Sequence, residues 1–287
     1  MKNVKSNLGS FAQAKNAVGF FSTKLQAKRH SLLAITLILT VMVLSMCSKK
    51  AEAQESKKSS ATGSAKTEAY NSESDFQIDW DENVKDGIVI VKYIGINNVV
   101  NIPPRIQNSP VTRIGYHAFK DNKNITSVTI PYGVISIDIA SFENCTSLTN
   151  VTIPDSVTDI QKSAFSQCTS LTSITIPNSV TVILDFTFSY CTSLTSITIP
   201  DSVTRIYDYA FRYCTSLTNI TIPKSVTDIG QSAFTGYTGL TVTIEGKDVG
   251  ISSTAFGGTD LPEKYRASDG GPGTYKRFAG GTTWKKQ

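Results

Sequence analysis

Val157–Ser179 reads VTDIQKSAFSQCTSLTSITIPNS, and the chain repeats this unit on both sides in steps of 23 residues. Val111–Gly133 is VTRIGYHAFKDNKNITSVTIPYG and Val134–Ser156 is VISIDIASFENCTSLTNVTIPDS. Val180–Ser202 is VTVILDFTFSYCTSLTSITIPDS, and Val203–Ser225 is VTRIYDYAFRYCTSLTNITIPKS. A sixth copy, Val226–Asp248, is one residue short before Val242-Thr243-Ile244, and a half copy, Val249–Phe256, closes the array. Upstream, Val99-Val100-Asn101-Ile102-Pro103 is an imperfect echo of the segment that ends each unit. Self-similarity at a period of this length marks a solenoid, and degraded end copies are what its caps require.

One unit contains the chemistry of the whole array. Leu171-Thr-Ser-Ile174-Thr-Ile176-Pro177 alternates apolar and polar with β-branched residues, so it reads as a strand. Leu171, Ile174 and Ile176 are expected to face inward, with Ser173 and Thr175 on the other face. Pro177 has no N–H to donate and ends the pairing. Val157 and Ile160 make a second apolar contact on the return leg, and Ala164-Phe165 drops a ring into the core. A single coil cannot bury its own apolar side. Coils stacked at a strand spacing of about 4.8 Å bury it in columns of identical residues. Phe119, Phe142, Phe165, Phe188, Phe211 and Phe234 form one such column.

The LxxIxIP strands and AFxxC return legs resemble the BspA-like leucine-rich-repeat family of bacterial surface proteins, from about Ile88 to the end of the chain. The resemblance implies a strand-rich α/β horseshoe: a right-handed leucine-rich-repeat solenoid with the strands as a parallel concave sheet. It also implies a surface protein that binds macromolecules, protein or glycan, on host or neighbouring cells. Leu261–Gln287 (LPEKYRASDGGPGTYKRFAGGTTWKKQ) resembles the closing modules after such arrays, and its Gly-Gly-Pro-Gly run suggests a turn between Tyr265 and Tyr275. Cys145, Cys168, Cys191 and Cys214 recur at the repeat step where unit one has Asn122 and unit six Tyr237. A column that accepts Asn or Tyr needs no pairing partner, and in-register neighbours reach a disulfide dihedral near 90° with difficulty. Buried free thiols are expected.

The first 74 residues read as an address and a tether. Lys24, Lys28, Arg29 and His30 precede Ser31–Met46, an uncharged apolar run too short to span a membrane comfortably. Leu44-Ser45-Met46-Cys47 resembles the lipobox of bacterial lipoproteins, which implies diacylglycerol on Cys47 and cleavage before it. Met46 is larger than the usual Gly, Ala or Ser, and the basic region is long, so an uncleaved signal anchor with Cys47 as an ordinary thiol stands as the alternative. Several acyl chains hold a protein firmly, at about 0.8 kcal/mol per buried CH₂. Ser48 to about Asp75 is rich in Ser, Lys, Ala and Glu and lacks the apolar residues to form a core. The expected organisation is a signal peptide over 1–46, lipid site and tether over 47–75, an N-terminal cap over 76–110, the solenoid over 111–256 and a closing segment over 257–287. The implied location is exported and lipid-anchored, on the outer membrane at the cell surface; a periplasm-facing scaffold and a self-associating envelope component are alternatives.

The formal net charge of +5 falls to −1 once the six basic residues of 1–46 are set aside, so the body carries no electrostatic footprint for nucleic acid. Outside the leader the only histidine is His117, at a variable position of unit one. Any Ser-His-Asp or Cys-His arrangement would have to use it. No HExxH, no Cys-x-x-Cys pair and no carboxylate-rich loop is present, so no catalytic residue, metal site or cofactor is assigned.

Binding surfaces show as variation against a fixed frame. The outward residues of the strands are Asn150 and Thr152, Ser173 and Thr175, Ser196 and Thr198, and Asn219 and Thr221, after Ser127 and Thr129 in unit one. This flat ladder has no Trp, Tyr or Arg anchor of the kind found at hot spots, and a merely solvated sheet surface explains it equally well. The return legs of units four and five carry Leu184, Phe186, Tyr190, Tyr207, Tyr209 and Tyr213 where other units have Gly115, Ser163, Gln167 or Gly236, with Arg205 and Arg212 nearby. Facing solvent, these rings form a partner site; folded inward, they fill gaps between coils. The sequence leaves both readings open.

Overall fold

The computed structural model describes residues 69–277 and 281–287; the leader, Cys47 and the tether up to residue 68 lie outside them. Two ladders of short strands run through the array. One is formed by the IxI segments: Ser127–Thr129 pairs parallel with Val99–Asn101 and with Asn150–Thr152, Ser173–Thr175 with Ser196–Thr198, and Asn219–Ile222 with Thr241–Ile244. The other joins the VTxI segments, from Ile88–Tyr93 through Ser109–Ile114, Ser136–Ile137 and Asp159–Ile160, and again from Val182–Ile183 to Gly250–Ile251. The sixth coil is one residue short on both ladders: Asn219 sits beside Thr241 and Asp228 beside Gly250, 22 residues apart. The solenoid makes about seven turns. Among the described residues its one α-helix is Leu261–Arg266, after the array.

The return legs are runs of tight turns, and their hydrogen bonds alternate. In unit one the N–H groups of His117, Phe119 and Asp121 donate to Ile139, Ser141 and Glu143 of the next coil, while those of Ala118, Lys120 and Asn122 donate to Gly115, His117 and Phe119 within the coil. Two residues per coil sit in the left-handed region to achieve this. One column is His117, Ala140, Ser163, Phe186, Tyr209 and Ser232; the other is Asp121, Asn144, Gln167, Tyr190, Tyr213 and Gly236. At the opposite corner each strand-ending proline accepts a turn bond, as in Val157 N–H to Pro154 and Val180 N–H to Pro177. Ser156, Ser179 and Ser202 then donate to the carbonyls of Val134, Val157 and Val180 one coil earlier.

The core is the predicted set of columns. Phe119, Phe142, Phe165, Phe188, Phe211, Phe234 and Phe256 stack with centroids 4.8 to 5.8 Å apart. Each stacked pair adds about 0.5–1.5 kcal/mol beyond its burial. Tyr93 stacks on Phe119 at one end, and Trp284 meets Phe256 edge-on at the other. The IxI ladder is looser in the middle. It opens between Asn150–Thr152 and Ser173–Thr175 and between Ser196–Thr198 and Asn219–Ile222, and there Ile153 and Ile197 are only partly buried.

Both ends are covered. Phe76–Trp80 folds back antiparallel on Ile88–Tyr93, and Arg105–Ile106 forms a hairpin with Ser109–Pro110 through left-handed Gln107 and Asn108. The buried Asp81 carboxylate accepts a hydrogen bond from Thr112 Oγ1 at 2.7 Å and lies 3.7 Å from Arg113. Burial works against its ionisation, but the Thr112 and Asn83 hydrogen bonds and the Arg113 charge together keep it below the usual carboxylate range. Asn71 to Asp75, placed by composition in the tether, is held to this cap: Asn71 N–H donates to the Asn101 carbonyl, and Glu73 accepts from Gln107 N–H. At the far end Gly273–Arg277 adds antiparallel to Thr241–Ile244, and Trp284–Lys286 adds to it in turn.

Candidate partner-binding surface

The cysteine column is structural. Cys145, Cys168, Cys191 and Cys214 are buried and free, as expected. Each thiol donates to the carbonyl of the phenylalanine one coil earlier, at 3.0 to 3.2 Å. In unit six the Tyr237 hydroxyl takes over the same task, donating to the Phe211 carbonyl at 2.6 Å. In unit one the Asn122 side chain instead accepts from the N–H groups of Asn124 and Ile125. Burial pushes the Cys145 and Cys214 thiols up to about 12 and raises Cys168 and Cys191 well above the ordinary range. Such thiols are held in the protonated form and are poor nucleophiles at neutral pH.

His117 is half-exposed and stacks on Tyr116 at 3.6 Å. The described residues hold no group of three or more His, Cys, Asp or Glu placed to bind a metal ion. On the IxI ladder Asn150, Thr152, Ser173, Thr175, Ser196, Thr198, Asn219 and Thr221 are all exposed, as the alternation requires. Apart from an Asn219 to Thr218 contact, none of these side chains makes a hydrogen bond among the described residues. The threonine hydroxyls that tie coils together lie outside this row, as in Thr149 to the Thr126 carbonyl and Thr195 to the Thr172 carbonyl.

The aromatic residues of units four and five face outward. Phe186 and Tyr190 are exposed to 38% and 39%, and Tyr207, Tyr209 and Tyr213 are half-buried. They form two stacked pairs across neighbouring coils: Phe186 on Tyr209 at 4.7 Å and 9°, and Tyr190 on Tyr213 at 4.9 Å and 27°. All four occupy the two left-handed columns, at φ between 57° and 60°. Elsewhere the second of these columns holds Asp121, Asn144, Gln167 and Gly236, of which Asp, Asn and Gly suit the left-handed region; a bulky ring there costs on the order of 1 kcal/mol. Space for the Tyr213 ring comes from a small neighbour. A Cβ on Gly236 would lie 2.2 Å from Tyr213 Cδ1.

Arg212 sits among the rings, with its guanidinium carbon 5.8, 5.4 and 5.0 Å from the centroids of Tyr190, Tyr209 and Tyr213. Beside the patch a shallow groove of about 520 Å³ runs past Tyr207, Asp208, Asp228 and Arg266, opened by Gly230 and Gly250. Tyr207 thus belongs to the groove wall rather than to either stacked pair. The central place of Arg212 was not legible in the chain, because nothing in the sequence specifies which ring a long side chain lies against.

Six copies of the BspA-type leucine-rich-repeat region match residues 112–241. Comparison with curated proteins gives no match. Among solved structures, a leucine-rich-repeat protein of T. pallidum is 32% identical, with a TM-score of 0.57 over 58% of this chain and 78% of that one. A leucine-rich cell surface protein of Faecalibacterium prausnitzii is 33% identical, with a TM-score of 0.50 over 76% of this chain and 61% of that one. With its repeat frame, its stacked strands and these relatives in agreement, this chain belongs to the BspA-type leucine-rich-repeat family.

Proposed function

We infer that this protein is an exported, lipid-anchored binding protein of the bacterial surface, and that it engages macromolecules on host or neighbouring cells through the return-leg aromatic patch of units four and five. The observation that carries this is the pair of outward-facing ring stacks at left-handed positions. Bulky side chains held in a disfavoured backbone conformation outside the Phe core recover only part of what an interior place would give, through half-burial and mutual stacking. A role outside the fold accounts for them. Tyrosine and arginine are also the residue types that dominate interface hot spots. The Ser/Thr/Asn ladder lacks such anchors and is assigned to solvation. The chain of the F. prausnitzii relative is a cell surface protein, and leucine-rich-repeat solenoids generally bind proteins without catalysing reactions; both support the reading. Lipidation at Cys47, after the apolar leader segment, belongs to the same proposal.

Replacing Tyr190, Tyr209 and Tyr213 together by Ser tests it. The expected result is loss of binding to immobilised extracellular-matrix and cell-surface proteins, with circular dichroism unchanged. Undiminished binding by the folded triple variant overturns the patch assignment.

A further inference from the structure

Arg212 stands apart in the charge pattern of the return legs. Neighbouring coils neutralise one another there: Arg113 meets Asp138 at 2.9 Å, Lys120 meets Glu143 at 2.7 Å, Lys162 meets Asp185 at 2.6 Å and Arg205 meets Asp228 at 3.3 Å. Arg212 occupies the column of the Lys120–Glu143 pair, but its neighbours in that column are Ser189 and Thr235. Among the described residues it has no carboxylate partner. Its Nε is buried without a hydrogen bond, and so is Thr235 Oγ1 in the same column one coil on. Among the described residues its terminal nitrogens find no hydrogen-bond acceptor, and they are not buried. The hydroxyls of Tyr190, Tyr209 and Tyr213, whose rings lie around the guanidinium, likewise have no hydrogen-bond partner among the described residues.

The buried Nε is costly to leave without an acceptor, and the solvent-facing terminal nitrogens are open to an incoming one. Cation–π contact with three tyrosines offsets part of that cost but satisfies no N–H. The guanidinium fork matches a carboxylate bidentately. The surrounding surface is aromatic: Tyr190, Tyr209 and Tyr213 lie around the guanidinium, and exposed Phe186 stacks on Tyr209. We propose that Arg212 is the anchor for a carboxylate side chain of an acidic protein segment, whose neighbouring apolar residues pack on Phe186 and Tyr190. This rests on the patch being the partner site and adds the chemistry of what it selects.

Two acetylated peptides, one alternating glutamate with tyrosine and the other with glutamine in place of glutamate, test the proposal against the full chain by biolayer interferometry. A sialylated trisaccharide serves as a third probe. The glutamate peptide is expected to bind at least about tenfold more tightly than its glutamine counterpart and to weaken with salt. Arg212→Gln should lose that preference, while Arg212→Lys, which keeps the charge without the fork, should retain part of it. Circular dichroism and the thermal midpoint of both variants establish that they are folded. Equal binding of the two peptides, no binding of either, or an unchanged preference in folded Arg212→Gln overturns the proposal. Binding of the trisaccharide alone also overturns it. In each of these cases a partner that is still lost with Tyr190, Tyr209 and Tyr213 leaves the patch reading standing.

Discussion

Phe165 lies between Phe142 and Phe188, 5.3 and 5.8 Å from their ring centroids, and is fully buried. Removing it leaves a void that rigid coils above and below cannot close, so Phe165→Ala is expected to cost about 3–5 kcal/mol in urea unfolding. The thiol column makes a prediction of opposite character. Burial holds the folded Cys145 and Cys214 at about 12 against an ordinary 9.0, so the unfolded chain gives up these protons first. The contribution is complete below about pH 9 and is lost as pH rises toward 12. The urea midpoint should therefore fall across that window, and less steeply in Cys145→Ala. A parallel slope in the variant would show that other groups carry the alkaline loss. The column was legible from sequence because a position that accepts Cys, Asn or Tyr needs one polar group to satisfy nearby backbone, a carbonyl for Cys and Tyr237 and N–H groups for Asn122, not a bond to its neighbour.

The elements are coupled through their corners. Gly236 has φ +97° and carries the Tyr213 ring where its own side chain would be. Gly236→Ala is expected to destabilise by more than about 1 kcal/mol. In a Tyr213→Ser background the steric part should disappear and the backbone part remain, which a double-mutant cycle of unfolding free energies would read as coupling. Additive losses would mean that the ring moves aside freely. The closing hairpin makes the other element-scale prediction. Trp284 is buried against Phe256, and its Nε1 donates to Thr259 Oγ1 at 2.9 Å. Trp284→Ala should cost about 3–5 kcal/mol and expose the last coil. Size-exclusion chromatography is expected to show association of the variant; a monomer of unchanged stability would mean the cap is dispensable.

At the scale of the whole molecule the prediction concerns the anchor. Cys47→Ser is expected to abolish incorporation of labelled palmitate and to release the protein from the membrane fraction, while the solenoid stays folded. Retained label would remove Cys47 as the lipid site. Protease treatment of intact cells should degrade the solenoid along with surface controls. Its survival while those controls are lost would place it on the periplasmic face.

The sequence by itself determined the repeat step, the inward columns and the two strand segments of each coil, because a side chain's place in a solenoid follows from its position modulo 23. Short-range chemistry sufficed: alternation for the strand, proline for its end, one phenylalanine for each coil. The tertiary structure decided what depends on contacts between coils. The left-handed columns were faintly written in Asp121, Asn144 and Gly236 but hidden where Tyr190 and Tyr213 occupy the same corner. Whether those rings turned in or out depended on packing, since the Phe column already filled the interior and left only the outer corner. The isolation of Arg212 depended on which residues the neighbouring coils present at its column, Ser189 and Thr235 in place of a carboxylate.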